Sequence, residues 1–163
     1  MMDYENILSA RVKEVKPSGI RKFFDLLEEM EDSISLGVGE PDFITPWHIR
    51  DAGIYSLEKG FTKYTSNAGL AALRGEISAY RFDLRYDSKS QIIVTVGGSE
   101  AIDITMRALL NPGDEVIIPV PSFVCYGPLA SMTGATPVFV ETKSEDGFKL
   151  TPELLRANLT ERT

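Results

Sequence analysis

Gly97-Gly98-Ser99-Glu100 stands between a β-branched run, Ile92 to Val96, and a helix-period run in which Ile102, Thr105, Ala108 and Leu109 share a face. A glycine turn that opens a helix at the carboxyl end of a strand presents unpaired backbone N–H groups and the positive end of the helix dipole, which is the chemistry of a phosphate site. Ser99 adds a hydroxyl. Asn111-Pro112-Gly113-Asp114 breaks the helix, and a second apolar run, Val116 to Val120, follows. The whole is a strand–turn–helix–strand unit of βαβ length. The P-loop pattern G-x-x-x-x-G-K-[ST] is absent, and Gly97 to Ile102 does not match G-x-G-x-x-G. The second strand runs into Pro119-Val120-Pro121-Ser122-Phe123, with no acid placed for a ribose. The same Gly-Gly-Ser also fits a tight turn that holds no ligand.

Other chemistry is thinly represented. The chain has one histidine and one cysteine, far apart in sequence, and these make no zinc site without many carboxylates. Cys125 has no histidine or basic neighbour to lower its pKa and reads as inert. His48 reads as a surface residue one turn into a helix, and Trp47 as part of the core. The formal charge of −7 and the hydrophobic and charged fractions of 43% and 25% describe a globular chain. An acidic chain with scattered Lys and Arg is a poor fit to nucleic acid. Its apolar runs are strand-length, so no membrane span is expected. Met1 is not followed by the basic and apolar regions of a signal peptide. A single cysteine allows no internal disulfide, which suits a cytoplasmic setting.

The periodicity predicts the elements that would position these groups. Ser18 caps a helix over 19–31 whose stripe is Ile20, Phe23, Phe24, Leu27 and Met30. A short strand is expected at 34–36. Thr45-Pro46 reads as the start of a helix that stops near Gly60, and Asn67 as the cap of a helix with Leu70, Leu73, Ile77 and Tyr80 on one face. Strands follow at 92–96, 116–120 and 137–141, with helices at about 99–110 and 126–132 between them. Thr151-Pro152-Glu153 opens a last helix that runs toward Thr163. This alternation predicts an α/β layer with a mostly parallel sheet.

Five segments together carry a resemblance. They are Ser35-Leu36-Gly37-Val38-Gly39-Glu40-Pro41-Asp42-Phe43; Thr62-Lys63-Tyr64-Thr65 with Gly69 and Leu73-Arg74; Thr95 to Ala101; Asn111 to Val116; and Pro121-Ser122-Phe123-Val124-Cys125-Tyr126. In this order and spacing the chain, from about residue 11 to its last residue, resembles the N-terminal part of a class I/II aminotransferase, a pyridoxal 5'-phosphate (PLP) enzyme of fold type I. Aspartate, aromatic and N-acetyl-diaminopimelate aminotransferases are alike in these segments. The resemblance implies a partial fold-type-I PLP-transferase fold, three-layered with a mostly parallel sheet and truncated before the central strands. Residues 1–44 would be the N-terminal arm and part of the small domain, and 45–163 the first half of the large PLP-binding domain. It also implies that strand 92–96 is not the neighbour of 116–120, and that 116–120 pairs with 137–141.

The resemblance further implies roles. Gly98, Ser99 and Glu100 would hold the PLP phosphate, Glu100 through its backbone alone with its carboxylate directed away. Phe123 would lie over the cofactor ring, where many relatives carry Tyr or Trp. Tyr64 would reach the phosphate of the neighbouring subunit of a homodimer, and Lys63 beside it would face solvent. Gly39 would let backbone approach the substrate carboxylate, and Ile20 would line the substrate mouth. The lysine that carries the cofactor and the groups around its ring lie, in the family, beyond a position equivalent to Thr163. The expected function is therefore that of an N-terminal fragment, inactive alone, of an enzyme that moves an amino group between an amino acid and a 2-oxo acid. A non-catalytic module that binds a phosphate or a partner on the same scaffold is the alternative.

Overall fold

The structure, a computed structural model, describes residues 6–17, 19, 39, 41–80 and 86–163. In chain order the elements are α1 (Ala10–Glu14), α2 (Trp47–Glu58), α3 (Ala71–Tyr80), α4 (Gly98–Leu109), β1 (Glu115–Val120), α5 (Tyr126–Thr133), β2 (Thr136–Glu141), a 3-10 turn (Ser144–Asp146) and α6 (Pro152–Asn158). They fall into two units, one made of Met1–Arg21 with Val96–Thr163 and the other of Lys22–Thr95. The expected helix over 19–31 and strand at 34–36 lie outside the described residues, apart from Gly19.

In the first unit β1 and β2 pair in parallel, Glu115 opposite Thr136 and Val120 opposite Glu141. Parallel neighbours need a crossover, and α5 supplies it. The strands carry Val116-Ile117-Ile118 and Val138-Phe139-Val140, apolar runs suited to a sheet covered on both faces. Ile118, Ala130, Ala135 and Val140 are buried between strands and helix. α4 packs on α5, and α6 on β2. α6 begins as the sequence predicts: the Thr151 hydroxyl accepts the Leu154 N–H at 3.2 Å, and Pro152 occupies the first turn. It ends at Asn158 rather than running on, because Leu159 is extended and the chain turns back to β1. There the Arg162 carbonyl accepts the Glu115 N–H at 2.8 Å, and Arg162 Nη2 lies 2.7 Å from Glu115 Oε1. α1, which the sequence pattern did not reveal, is capped by Ser9. Its Arg11 donates to the Met132 carbonyl near the end of α5, at 3.3 Å.

In the second unit, α2 starts at Trp47 with Pro46 as a cap that makes no side-chain bond. Trp47 is exposed rather than part of the core. Asn67 does not cap α3. It sits in a turn in which the Gly69 N–H donates to the Ser66 carbonyl at 2.8 Å. The expected apolar face of α3 (Leu70, Leu73, Ile77, Tyr80) is exposed, and the buried side chain of this helix is Arg74. The segment 92–96 is no ladder strand. Its Val94 N–H donates to the Ala68 carbonyl at 3.0 Å, and Ile92 is buried while Ile93 is exposed. β-branched residues favour the extended form, but a strand needs a partner. β1 and β2 pair with each other, as the resemblance implies.

Candidate phosphate-binding site

Gly97 is the N-cap of α4, with φ 83° and ψ 168°, a conformation that glycine adopts without steric cost. That turn lets the chain leave the extended segment and enter a helix at once. The helical ladder begins with the Ala101 N–H donating to the Gly97 carbonyl at 3.4 Å. The amides of Gly98, Ser99 and Glu100 precede it and so lie outside the ladder. All three residues are exposed, and a Cβ added at Gly98 would meet nothing within 4 Å. The Ser99 hydroxyl, the three amides and the dipole of a 12-residue helix form a set of donors with open space before them. Such a set suits an acceptor-only dianion, and the residues present fit the phosphate of PLP.

The Glu100 side chain differs from expectation. Its carboxylate folds back across the turn and accepts the Val96 N–H. This is a capping-box contact displaced by one residue. It pairs the carboxylate with a donor outside the set of three amides and leaves those amides open.

β1 ends at the cis Val120–Pro121 peptide, and Phe123 follows. The residue is 56% exposed, and its ring meets Tyr126 edge-on, with centroids 6.0 Å apart at 74°. An exposed ring held by an edge contact keeps a face free for stacking. The short connection Leu110 to Asp114 reverses the chain between α4 and β1. A 12-residue helix spans about 18 Å and a 6-residue strand about 20 Å. The start of α4 and the end of β1 therefore reach the same end of the unit. Cys125 is half-buried at the N-cap of α5.

Among the residues of the second unit, Tyr64 is fully exposed in the loop between α2 and the Ser66–Gly69 turn. It borders a concavity lined by Lys59, Phe61, Lys63, Thr65 and Leu70. His48 is exposed and edge-on to Trp47 at 5.8 Å. Gly39 is exposed. Ile20 lies outside the described residues. Arg74 stands in the sequence only as part of a motif, yet it is a buried charge. The signal was present: Leu70, Leu73, Arg74 and Ile77 follow helical spacing, so an arginine sits within an apolar stripe. Among the described residues no group of three or more His, Cys, Asp or Glu side chains could hold a metal ion. No described helix is long and apolar enough to cross a membrane.

Known proteins are similar to this chain in sequence and fold. The YugH protein of Bacillus subtilis (strain 168), which has a provisional aminotransferase name, is 57% identical over 159 residues, covering 96% of this chain and 41% of its own. Aspartate aminotransferase of Pyrococcus abyssi is 41% identical over 159 residues, with 96% and 41% covered. The solved structure of aspartate aminotransferase from Thermus thermophilus with maleate superposes with a TM-score of 0.87 at 39% identity, covering 96% of this chain and 42% of that one. This chain thus spans about 41% of the length of these curated relatives, and its α/β fold is part of the fold-type-I PLP-transferase fold. The sequence profile of aminotransferase class I and II matches residues 31–163, and the chain belongs to that family.

Proposed function

We propose that this chain supplies the cofactor-phosphate site and ring platform of a PLP-dependent aminotransferase, a cytoplasmic homodimer that moves an amino group between an amino acid and a 2-oxo acid. The observation that supports it is the Gly97 turn, with three open amides and a serine hydroxyl at the start of α4. When bound, PLP supplies an electron sink for bond breaking at the α-carbon of the amino acid. Gly98, Ser99 and Glu100 hold its phosphate through their amides, and Ser99 adds its hydroxyl. Phe123 lies against the ring and fixes its plane. Tyr64 donates its hydroxyl to the phosphate bound by a second copy of the chain. By the family resemblance, Gly39 and Ile20 would border the substrate. Residues 1–44 serve as arm and part of the small domain, and residues 45–163 as the first half of the large domain. No side chain here is assigned to proton transfer, so the 163-residue chain alone turns over no substrate.

The test compares PLP with pyridoxal, which lacks the phosphate, as ligands of the protein carrying this chain. Ser99→Ala should weaken PLP by about tenfold, the worth of a hydrogen bond to a charged group, and leave pyridoxal unchanged. Equal affinity of wild type and variant for PLP counts against the site. Binding of inorganic phosphate without PLP would favour the non-catalytic module instead. Incubation of the 163-residue chain with PLP, glutamate and 2-oxo acids checks turnover, and sustained product formation would overturn its predicted inactivity.

A further inference from the structure

Arg74 is 8% exposed, and among the described residues no carboxylate forms an ion pair with it. Backbone carbonyls take that place. Arg74 Nε donates to the Gly69 carbonyl at 3.3 Å. Its Nη1 donates to the carbonyls of Ser88 at 2.6 Å and Lys89 at 3.2 Å. Burying a cation is costly unless hydrogen bonds replace its water. The planar fork of a guanidinium can satisfy acceptors in several directions from one rigid group, which an ammonium cannot do. The charge therefore bridges two backbone segments.

Both segments are also held by contacts of their own. The 87–90 loop is closed by its own side chains. Asp87 Oδ1 accepts the Lys89 N–H at 3.2 Å, Oδ2 accepts the Ser90 hydroxyl, and Gln91 Oε1 accepts the Asp87 N–H at 2.8 Å. At the other segment the Ala68 N–H donates to Ser66 Oγ at 3.3 Å, and the Ala68 carbonyl accepts from Val94 N–H at 3.0 Å. Arg74 thus seizes the Ser66–Gly69 turn from α3 and ties it to the loop that leads into the 92–95 segment.

Tyr64 stands just ahead of that turn, with Thr65 between them. Upstream, its loop is fixed where the Phe61 N–H donates to the Ser56 carbonyl at 2.9 Å. The Tyr64 side chain has 107% relative exposure, so packing within its own chain does not set its direction. The anchors on either side fix the backbone from which it projects. We propose that Arg74 is a positioning residue for Tyr64: by locking the Ser66–Gly69 turn it holds the Tyr64 hydroxyl where it meets the cofactor phosphate of a second copy of the chain. The inference rests on the role given to Tyr64 above.

The experiment measures PLP and pyridoxal affinity, with amide hydrogen exchange over residues 61–69, in the protein carrying this chain. The variants are Tyr64→Phe, Arg74→Lys, Arg74→Met and the Tyr64→Phe/Arg74→Met double mutant. Tyr64→Phe and Arg74→Met should each weaken PLP by about tenfold, the loss of one hydrogen bond to a charged acceptor. Pyridoxal affinity should stay unchanged. The double mutant should bind PLP no more weakly than either single variant, because both remove the same contact. Arg74→Lys keeps the charge but cannot span both carbonyl sets. It should speed exchange over 61–69 and weaken PLP alone, and it carries the test if Arg74→Met does not fold. Losses that multiply in the double mutant, or an Arg74 variant that weakens PLP and pyridoxal alike, would overturn the positioning role. An Arg74 variant with normal PLP affinity beside a defective Tyr64→Phe would overturn it too. A Tyr64→Phe variant with undiminished PLP affinity would instead remove the Tyr64 reading, and the positioning role with it.

Discussion

Gly69 and Val94 approach so closely that a Cβ on Gly69 would lie 2.7 Å from Val94 Cβ and 2.9 Å from its Cγ2. Gly69 also has φ +96°, in the region where side chains are strained. The contact presses the Ser66–Gly69 turn onto the extended 92–95 segment. Gly69→Ala meets both penalties, overpacking and a left-handed alanine. It should lower stability by about 2–4 kcal/mol, measured by chemical denaturation. A loss below about 1 kcal/mol would show that Val94 yields readily.

Glu100 places a carboxylate at the N-terminus of α4, where it accepts the Val96 N–H. It favours the helix dipole and opposes a second anion. Glu100→Gln keeps an acceptor for the Val96 N–H and removes the charge. Stability should fall by about 0.3–1 kcal/mol, while affinity for PLP rises by a few fold. Weaker PLP binding in this variant would contradict the placement of the phosphate beside Glu100.

Phe123 offers a free face at the end of β1. Phe123→Ala should weaken both PLP and pyridoxal, since the ring, not the phosphate, is what it touches. Phe123→Tyr should restore both. The stack contributes about 0.5–1.5 kcal/mol beyond burial, so titration should show losses of about threefold to tenfold. A loss confined to PLP would place Phe123 elsewhere.

Glu115 is held below the usual glutamate value of 4.5, first by the Thr160 hydroxyl and then by Arg162. A depressed folded pKa means that the unfolded chain takes up the proton first as pH falls. The stabilisation is therefore complete above the unfolded value and is lost as pH drops through the folded one. Denaturation of wild type and Glu115→Gln should differ by a constant amount at neutral pH and converge as the pH falls past the ordinary glutamate value and through the lowered one. A difference that persists at the lowest pH would show that the carboxylate charge is not its source.

The sequence made the βαβ unit legible because its cues are local. Pro112-Gly113 and Gly134 end helices, Thr151-Pro152 starts one, and apolar runs mark β1 and β2. The fate of 92–96 was not local. Ile92 to Val96 has the composition of a strand, and whether it joins a ladder depends on partners distant in sequence. Only the resemblance separated it from β1. At the candidate site, the turn, Ser99 and Phe123 could be picked out by motif, whereas the Glu100 carboxylate could not. Its contact with Val96 depends on the φ of Gly97, which the residue type permits but does not require. Arg74 was visible as an arginine in an apolar stripe, but its acceptors are carbonyls of residues 69, 88 and 89, and backbone direction leaves no mark on composition.

The role proposed for the first turn of α4 is to hold the cofactor phosphate. A crystal structure of the protein carrying this chain, grown with PLP, tests it most directly. Phosphate oxygens are expected within hydrogen-bonding distance of the Gly98, Ser99 and Glu100 amides and the Ser99 hydroxyl, with the Phe123 ring against the cofactor ring. A phosphate bound elsewhere, with those three amides capped by protein groups, would contradict it.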